Sequence, residues 1–79
     1  MPGALLEDVR ARRQVFGQRV LELRTRQGLT QEQLDERAGF DRKSVNRIEN
    51  GGYSPSLDRV FVLAQALGVE VVELFDRRH

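Results

Sequence analysis

The sequence of 79 residues contains no cysteine and no tryptophan, and it has one histidine and two prolines. Without cysteine the chain has neither disulfides nor thiolate metal ligands, so stability must come from helix packing or oligomerisation. No apolar run approaches the roughly 18 residues of a membrane span, and nothing resembles a signal peptide. These absences predict a small cytoplasmic domain that carries no metal and no cofactor.

Catalytic groups are equally scarce. Glu32 and Glu36 are carboxylates spaced i, i+4, which on an exposed helix usually means a solvated surface. The serines have no neighbouring base that would activate a nucleophile. Gly51-Gly52 lacks the strand and lysine of a phosphate-binding loop, and His79 is better interpreted as an end residue than as an acid, base or ligand. We expect no enzyme activity.

Charge is nearly balanced, with a net charge of +1. Its distribution is uneven, because six arginines lie in residues 1–30 against three acids, while the remainder is slightly acidic. Any surface that faces a nucleic acid must therefore be a local patch.

Residues 31–50 are predicted to form two short helices joined by a sharp turn. Thr30 and Gln33 can form a capping box at the start of the first helix, and Gly39 suits its left-handed end. Asp41 is a suitable N-cap for the second helix, whose inward stripe is Val45 and Ile48. Two helices around a glycine turn constitute a helix-turn-helix.

The outward face of the second helix holds four polar residues, Arg42, Lys43, Asn46 and Arg47. Arginine can bond guanine O6 and N7, and asparagine can bond adenine N6 and N7. A solvated charged face is the alternative for such residues taken alone. The turn pattern around them favours the DNA-reading interpretation.

The flanking segments read as further helices. Phe16, Val20 and Leu23 mark an amphipathic helix before the central stretch. Another helix follows it, with Ser54 as the predicted cap and Pro55 as its first residue. Residues 69–75 are predicted to make one or two helical turns. Residues 1–14 allow three interpretations: a frayed leader, an extra helix that runs into the next, or a phosphate-tracking arm.

From Phe16 to Phe75 the chain resembles the Cro and phage-repressor-like helix-turn-helix family, also called the xenobiotic-response-element family. The resemblance needs no gaps. The shared residues are Arg24, Gly28-Leu29-Thr30-Gln31, Leu34, Gly39, Val45, Arg47-Ile48-Glu49-Asn50-Gly51, Pro55-Ser56-Leu57, Leu63-Ala64 and Ala66-Leu67-Gly68-Val69.

This resemblance implies an all-α, five-helix DNA-binding domain over residues 15–79, preceded by an extension of residues 1–14. It also implies binding to double-stranded DNA, usually as a homodimer. The expected base contacts are Arg42, Lys43, Asn46 and Arg47, and the expected phosphate contacts are Gln31 and Asn50. The Tyr53 hydroxyl is a further expected phosphate contact, because its loop lacks basic residues that would serve instead. Arg24 and Glu49 match a structural ion pair.

Three positions depart from the family pattern. Asp35 stands where a small residue is preferred, so its carboxylate must find an arginine, turn amides or water. The loop Gly52-Tyr53-Ser54 lacks the basic residues that many relatives use for phosphates. Glu70 replaces a common capping serine, which predicts an irregular start to the last helix.

A dimer interface is expected at the apolar end, through Val71, Val72, Leu74 and Phe75, helped by Leu5, Leu6 and Val9. The leading hypothesis is a repressor that occupies a palindromic operator; a restriction-modification controller is a variant of it. Alternatives are an antitoxin or anti-regulator that sequesters a protein partner, and an interaction module that has lost DNA binding.

Overall fold

The computed structural model describes residues 3–75, which form four α-helices and one 3₁₀ helix. The α-helices are α1 (Gly3–Arg26), α2 (Gln31–Ala38), α3 (Ser44–Glu49) and α4 (Leu57–Leu67). The 3₁₀ helix is Val71–Phe75. The all-α class is confirmed, but the fifth element is not the α-helix that a five-helix bundle implies. None of these helices is both long and apolar enough to cross a bilayer.

One hydrophobic core joins the five elements. Its fully buried large side chains are Val20, Leu34, Val45, Ile48, Leu63 and Leu74. α1 packs on α3 and on the 3₁₀ helix, while α2 packs on α3 and α4. The predicted apolar stripes of the helices are the residues that meet in this core.

α1 is continuous across the expected boundary between residues 14 and 15. Of the three interpretations of residues 1–14, the structure favours an extra helix that runs into the next, because residues 3–14 are helical. Residues 3–12 are all exposed, so this half of α1 stands clear of the core. The division into an extension and a domain stays a prediction.

α4 begins two residues later than expected, so the prediction that Ser54 caps it was wrong. Ser56 is the N-cap, and its hydroxyl accepts a hydrogen bond of 3.2 Å from the Arg59 amide. Because Pro55 lies before this cap, it belongs to the extended connection rather than to the first helical turn.

No serine caps the start of the 3₁₀ helix. The Glu70 amide instead donates to the Glu73 carboxylate at 2.8 Å. With three residues per turn, side chains at i and i+3 lie on the same side. Leu74 is therefore fully buried and Val71 packs against the core, whereas Val72 and Phe75 are exposed. Leu74 is one of the expected interface residues, but the core buries it, so Val71, Val72 and Phe75 are the members of that set left at the surface.

Gly17 allows α1 to lie directly against the end of α3. A Cβ added at Gly17 would lie 2.3 Å from the Ile48 carbonyl oxygen and 2.8 Å from that of Glu49. Glycine inside a helix costs roughly 1 kcal/mol relative to alanine. The close approach explains why glycine stands here, because no larger residue would let α1 pack so near the backbone of α3.

Candidate nucleic-acid interface

The turn between α2 and α3 contains two left-handed residues. Gly39 ends α2 with φ 71°, and Lys43 precedes α3 with φ 68°. Lysine rarely adopts this conformation, since its Cβ crowds the backbone. Between them the Ser44 amide bonds the Asp41 carbonyl oxygen at 3.2 Å. The turn is therefore held in a strained shape that some other group must stabilise.

Asp35 supplies that stabilisation from α2. Its carboxylate accepts hydrogen bonds from the Lys43 amide at 3.1 Å and from the Val45 amide at 2.9 Å. These amides lie at the start of α3, where no intrahelical acceptor exists. Asp35 itself is buried. These bonds to turn amides explain why an aspartate stands at this position of α2, and they are one of the outcomes expected from the sequence.

The prediction that Asp41 caps the second helix was wrong. The cap position belongs to Lys43, which makes no side-chain cap bond, and the acceptor for the first amides comes from Asp35. A residue eight positions upstream has replaced the local cap. As a result, Arg42 and Lys43 lie in the turn before α3 rather than in its first turn.

A shallow cleft of about 210 Å³ separates α2 from α3. Its lining residues are Gln31, Glu32, Asp35, Arg42, Lys43 and Asn46. The structure therefore brings three of the four expected base-contacting residues together with one expected phosphate contact. Arg47 is exposed on α3 but lies outside the cleft lining.

Side-chain amides form a hydrogen-bonded row across this surface. Gln31 Nε2 donates to Glu49 Oε1 at 2.9 Å, and Gln31 Oε1 accepts from Asn46 Nδ2 at 3.2 Å. Asn46 Oδ1 in turn accepts from Asn50 Nδ2 at 3.3 Å. The three amide side chains are already oriented in the free protein, which lowers the ordering entropy of any contact they make.

The row is anchored on a buried ion pair. Arg24 Nε donates to Glu49 Oε2 at 2.6 Å, and Arg24 Nη2 donates to Glu49 Oε1 at 2.9 Å. Arg24 Nη1 donates to the Leu29 carbonyl oxygen. The pKa of Arg24 is raised, first by its hydrogen bond to Glu49 and also by Coulomb attraction, although burial opposes the rise. This bidentate pair links α1 to the last residue of α3.

The remaining expected phosphate contacts lie beyond the end of α3. Asn50 is exposed, whereas Tyr53 is half-buried and its ring packs against the core. The Arg59 guanidinium lies over the Phe40 ring at 4.9 Å and near the Tyr53 ring at 6.0 Å. Cations over aromatic faces are attracted by the ring quadrupole. Arg59 is the nearby cation that the sequence interpretation missed.

Two further arginines on α1 were also missed. Arg13 Nε donates to the Gly51 carbonyl oxygen at 2.8 Å, in the turn that follows α3. Arg19 Nε donates to the Glu73 carbonyl oxygen at 2.7 Å and pairs with Glu22. Their sequence signal was their position on the face that carries Phe16 and Val20, where arginine is unexpected.

The chain is similar in sequence to several known proteins. A family model described as helix-turn-helix matches residues 20–74. The chain is 40% identical over 62 residues to an uncharacterized HTH-type transcriptional regulator, y4dJ, of Sinorhizobium fredii, covering 78% of this chain and 80% of that protein. It is 34% identical over 65 residues to control protein C.BamHI of Bacillus amyloliquefaciens, covering 81% and 80% respectively.

A solved structure is also similar to this chain. The crystal structure of the restriction-modification controller protein C.AhdI from Aeromonas hydrophila matches with a TM-score of 0.75 at 48% sequence identity. The match covers 77% of this chain and 92% of that chain. The expected base and phosphate contacts, from Gln31 to Tyr53, lie within the segment that the family model matches, whereas Arg13 and Arg19 lie before it.

Proposed function

The chain belongs to the helix-turn-helix family of DNA-binding transcriptional regulators, and on that premise we propose that it is a repressor that binds a palindromic operator as a homodimer. The observation that carries the proposal is the exposed basic segment held in one shape by Asp35 and the buried Arg24–Glu49 pair. A rigid scaffold that holds polar side chains in place at the surface is the arrangement that base reading needs. Such a regulator acts on DNA in the cytoplasm and is not an enzyme.

Base reading is assigned to Arg42, Lys43, Asn46 and Arg47. The turn and α3 would enter the major groove, where Arg42 and Arg47 can bond guanine bidentately. Asn46 has one amide hydrogen committed to Gln31 and accepts from Asn50, so it would act as part of the ordered row rather than alone.

Phosphate contact is assigned to Gln31, Asn50 and Tyr53. Gln31 stands at the start of α2, where unpaired amides and the helix dipole attract an anion. Asn50 is exposed just after α3, beside the amides of the Gly51–Gly52 turn. These contacts fix the register of the protein on the duplex, whereas the base contacts supply sequence preference.

Dimerisation would place two copies of α3 about 34 Å apart, in successive major grooves. The exposed Val72 and Phe75, with the half-buried Val71 beside them, are the proposed interface residues of the C-terminal end. Two relatives carry the names of control proteins, one of them in restriction-modification. Control of restriction-modification genes is therefore the specific form of regulation that we propose for this chain.

The test is selection of random duplex DNA by the purified protein, followed by titration of the selected sequence against a scrambled one at two salt concentrations. We expect a two-fold palindrome whose preference survives the higher salt. Arg42→Ala and Arg47→Ala should each weaken specific binding by roughly 1–3 kcal/mol, as expected for a lost bidentate base contact.

The matched control is Arg26→Ala, which removes an exposed arginine at the C-terminal end of α1, outside the cleft lining. It should leave the preference unchanged. Weak, unselective binding that salt abolishes would contradict the proposal and favour a partner-dependent or DNA-free role.

A further inference from the structure

The N-terminal half of α1 carries an apolar stripe that nothing in the described chain covers. Leu5 is 56% exposed, Leu6 39% and Val9 45%. Val9 lies seven residues before Phe16, so the stripe continues the line along which the other half of α1 packs into the core. A stripe of this kind is typical of a helix face that packs against another surface.

A groove lies where this half of α1 joins the body. It has a volume of about 490 Å³ and is lined mainly by α1, the start of α4 and the 3₁₀ helix. Phe16 and Val60 are its buried side chains, and its exposed apolar ones are Val9, Val15, Leu57 and Phe75. The Phe75 ring lies 5.1 Å from that of Phe16. The groove is therefore apolar inside and open to solvent.

We propose that the N-terminal segment of α1, residues 3–12, from a second copy of the chain occupies this groove. The inference rests on the proposed homodimer and names the contact that would hold it together. The segment supplies exposed leucines of a size that an apolar groove of this volume accommodates.

Charge complementarity favours a second copy over an unrelated partner. Arg12 and Arg13 stand among the groove-lining residues, and Asp8 lies at the edge of the entering stripe, about 60° around the helix from Leu5. Glu7 lies on the other side of the helix, and Arg12 belongs to both the segment and the groove. Within one chain Asp8 pairs with Arg12, 3.0 Å apart, at side chains that are 58% and 70% exposed. Such an exposed pair contributes little, so Asp8 can exchange it for an arginine of the second copy.

The positions of segment and groove also suit a closed dimer. A two-fold interface needs the two contacting surfaces to lie on the same patch of each molecule. Val9 belongs to the segment and also lines the groove, so the two surfaces adjoin. A two-fold axis near Val9 would therefore let each copy place its segment in the groove of the other.

Occupation of the groove would reach the DNA-facing surface through Arg13. This residue lines the groove and donates to the Gly51 carbonyl oxygen in the turn after α3. A segment that packs beside Arg13 would hold that hydrogen bond in place. Assembly of the dimer would thus steady the turn to which phosphate contact is assigned.

The experiment compares oligomeric state by sedimentation equilibrium for four full-length proteins: the unaltered chain, the double variant Leu5→Glu/Leu6→Glu, Leu57→Glu and Ala11→Glu. Leu5 and Leu6 test the segment, and Leu57 tests the groove. Ala11 is exposed and lies about 200° around the helix from Val9, so Ala11→Glu adds one negative charge, as Leu57→Glu does, but on the opposite side of α1. Circular dichroism checks that each variant keeps its helix content, which is expected because all substituted side chains are exposed.

We expect the unaltered chain to be dimeric. The dissociation constant of the dimer should rise at least about tenfold in the segment and groove variants, and stay within about threefold for Ala11→Glu. A segment variant that associates as tightly as the unaltered chain would overturn the inference. If that variant still selects a palindrome, the proposed function survives alone. A chain that is monomeric even on its selected DNA would overturn both.

Discussion

α2 and α3 are neighbouring short helices that start in opposite ways. α2 carries its own start signal, because the Thr30 side chain accepts from the Gln33 amide and the Gln33 side chain accepts from the Thr30 amide. α3 has no such local signal, and its first amides bond the carboxylate of Asp35 on the other helix. The comparison separates a helix that can begin alone from one that depends on the fold.

The far end of α3 depends on other elements as well. Glu49 is held by Arg24 of α1, and the backbone there lies against Gly17. A helix of six residues is too short to be stable by itself in water. The helix that presents the proposed DNA contacts is thus kept in place by residues outside it. Substitutions at the residues that start and hold these helices measure how far this dependence goes.

The largest effect is expected for Glu49→Ala. The Arg24 and Glu49 side chains are 10% and 3% exposed, so the substitution leaves a buried guanidinium without its partner. Loss of one member of a buried pair costs about 3–5 kcal/mol. Urea denaturation should show a loss of this size, whereas Glu36→Ala, at an exposed carboxylate on α2, should change stability by less than about 0.5 kcal/mol. Equal effects of the two substitutions would mean that the ion pair is not structural.

A smaller loss is expected for Asp35→Ala. The substitution leaves the amides of Lys43 and Val45 without their acceptor, which should cost about 2–3 kcal/mol in the free energy of unfolding. Asp41→Ala is the matched control, since Asp41 is exposed in the turn and should cost less than about 0.5 kcal/mol. Both are measured by thermal and urea unfolding. A larger effect at Asp41 than at Asp35 would mean that Asp41, and not Asp35, stabilises the start of α3.

The smallest effect is expected for Thr30→Ala. It removes one capping hydrogen bond at an exposed helix start, which typically costs about 1 kcal/mol. Native-state hydrogen exchange should show the change at the amides of the first turn of α2. If protection fell equally in α3, the two helices would share one start signal and the contrast between them would disappear.

Sequence reasoning succeeded where the signal was local. The capping box of Thr30 and Gln33, the left-handed Gly39 and the apolar stripes of α1 and α4 were all predictable, because each depends on residues within one or two turns. The resemblance to a known family supplied the order of the helices and the pairing of Arg24 with Glu49.

It failed where a distant residue replaced a local one. Asp41 and Ser54 are good caps by residue type, but Asp35 and Ser56 occupy those roles. Leu74 looked equivalent to its apolar neighbours until the period of the 3₁₀ helix divided them. Gly17 carried a readable sign, since glycine inside a helix implies a close approach, but the sequence does not name the approaching group.

The cap by Asp35 bears on how specificity can be moved between members of this family. In this protein the left-handed conformation of Lys43 is held by a carboxylate on α2, so α3 by itself does not carry the turn that precedes it. Exchanging α3 alone would therefore transfer the side chains without the turn that aims them. In this protein the transferable unit of the proposed recognition surface spans residues 35–47, and it crosses from one helix into the next.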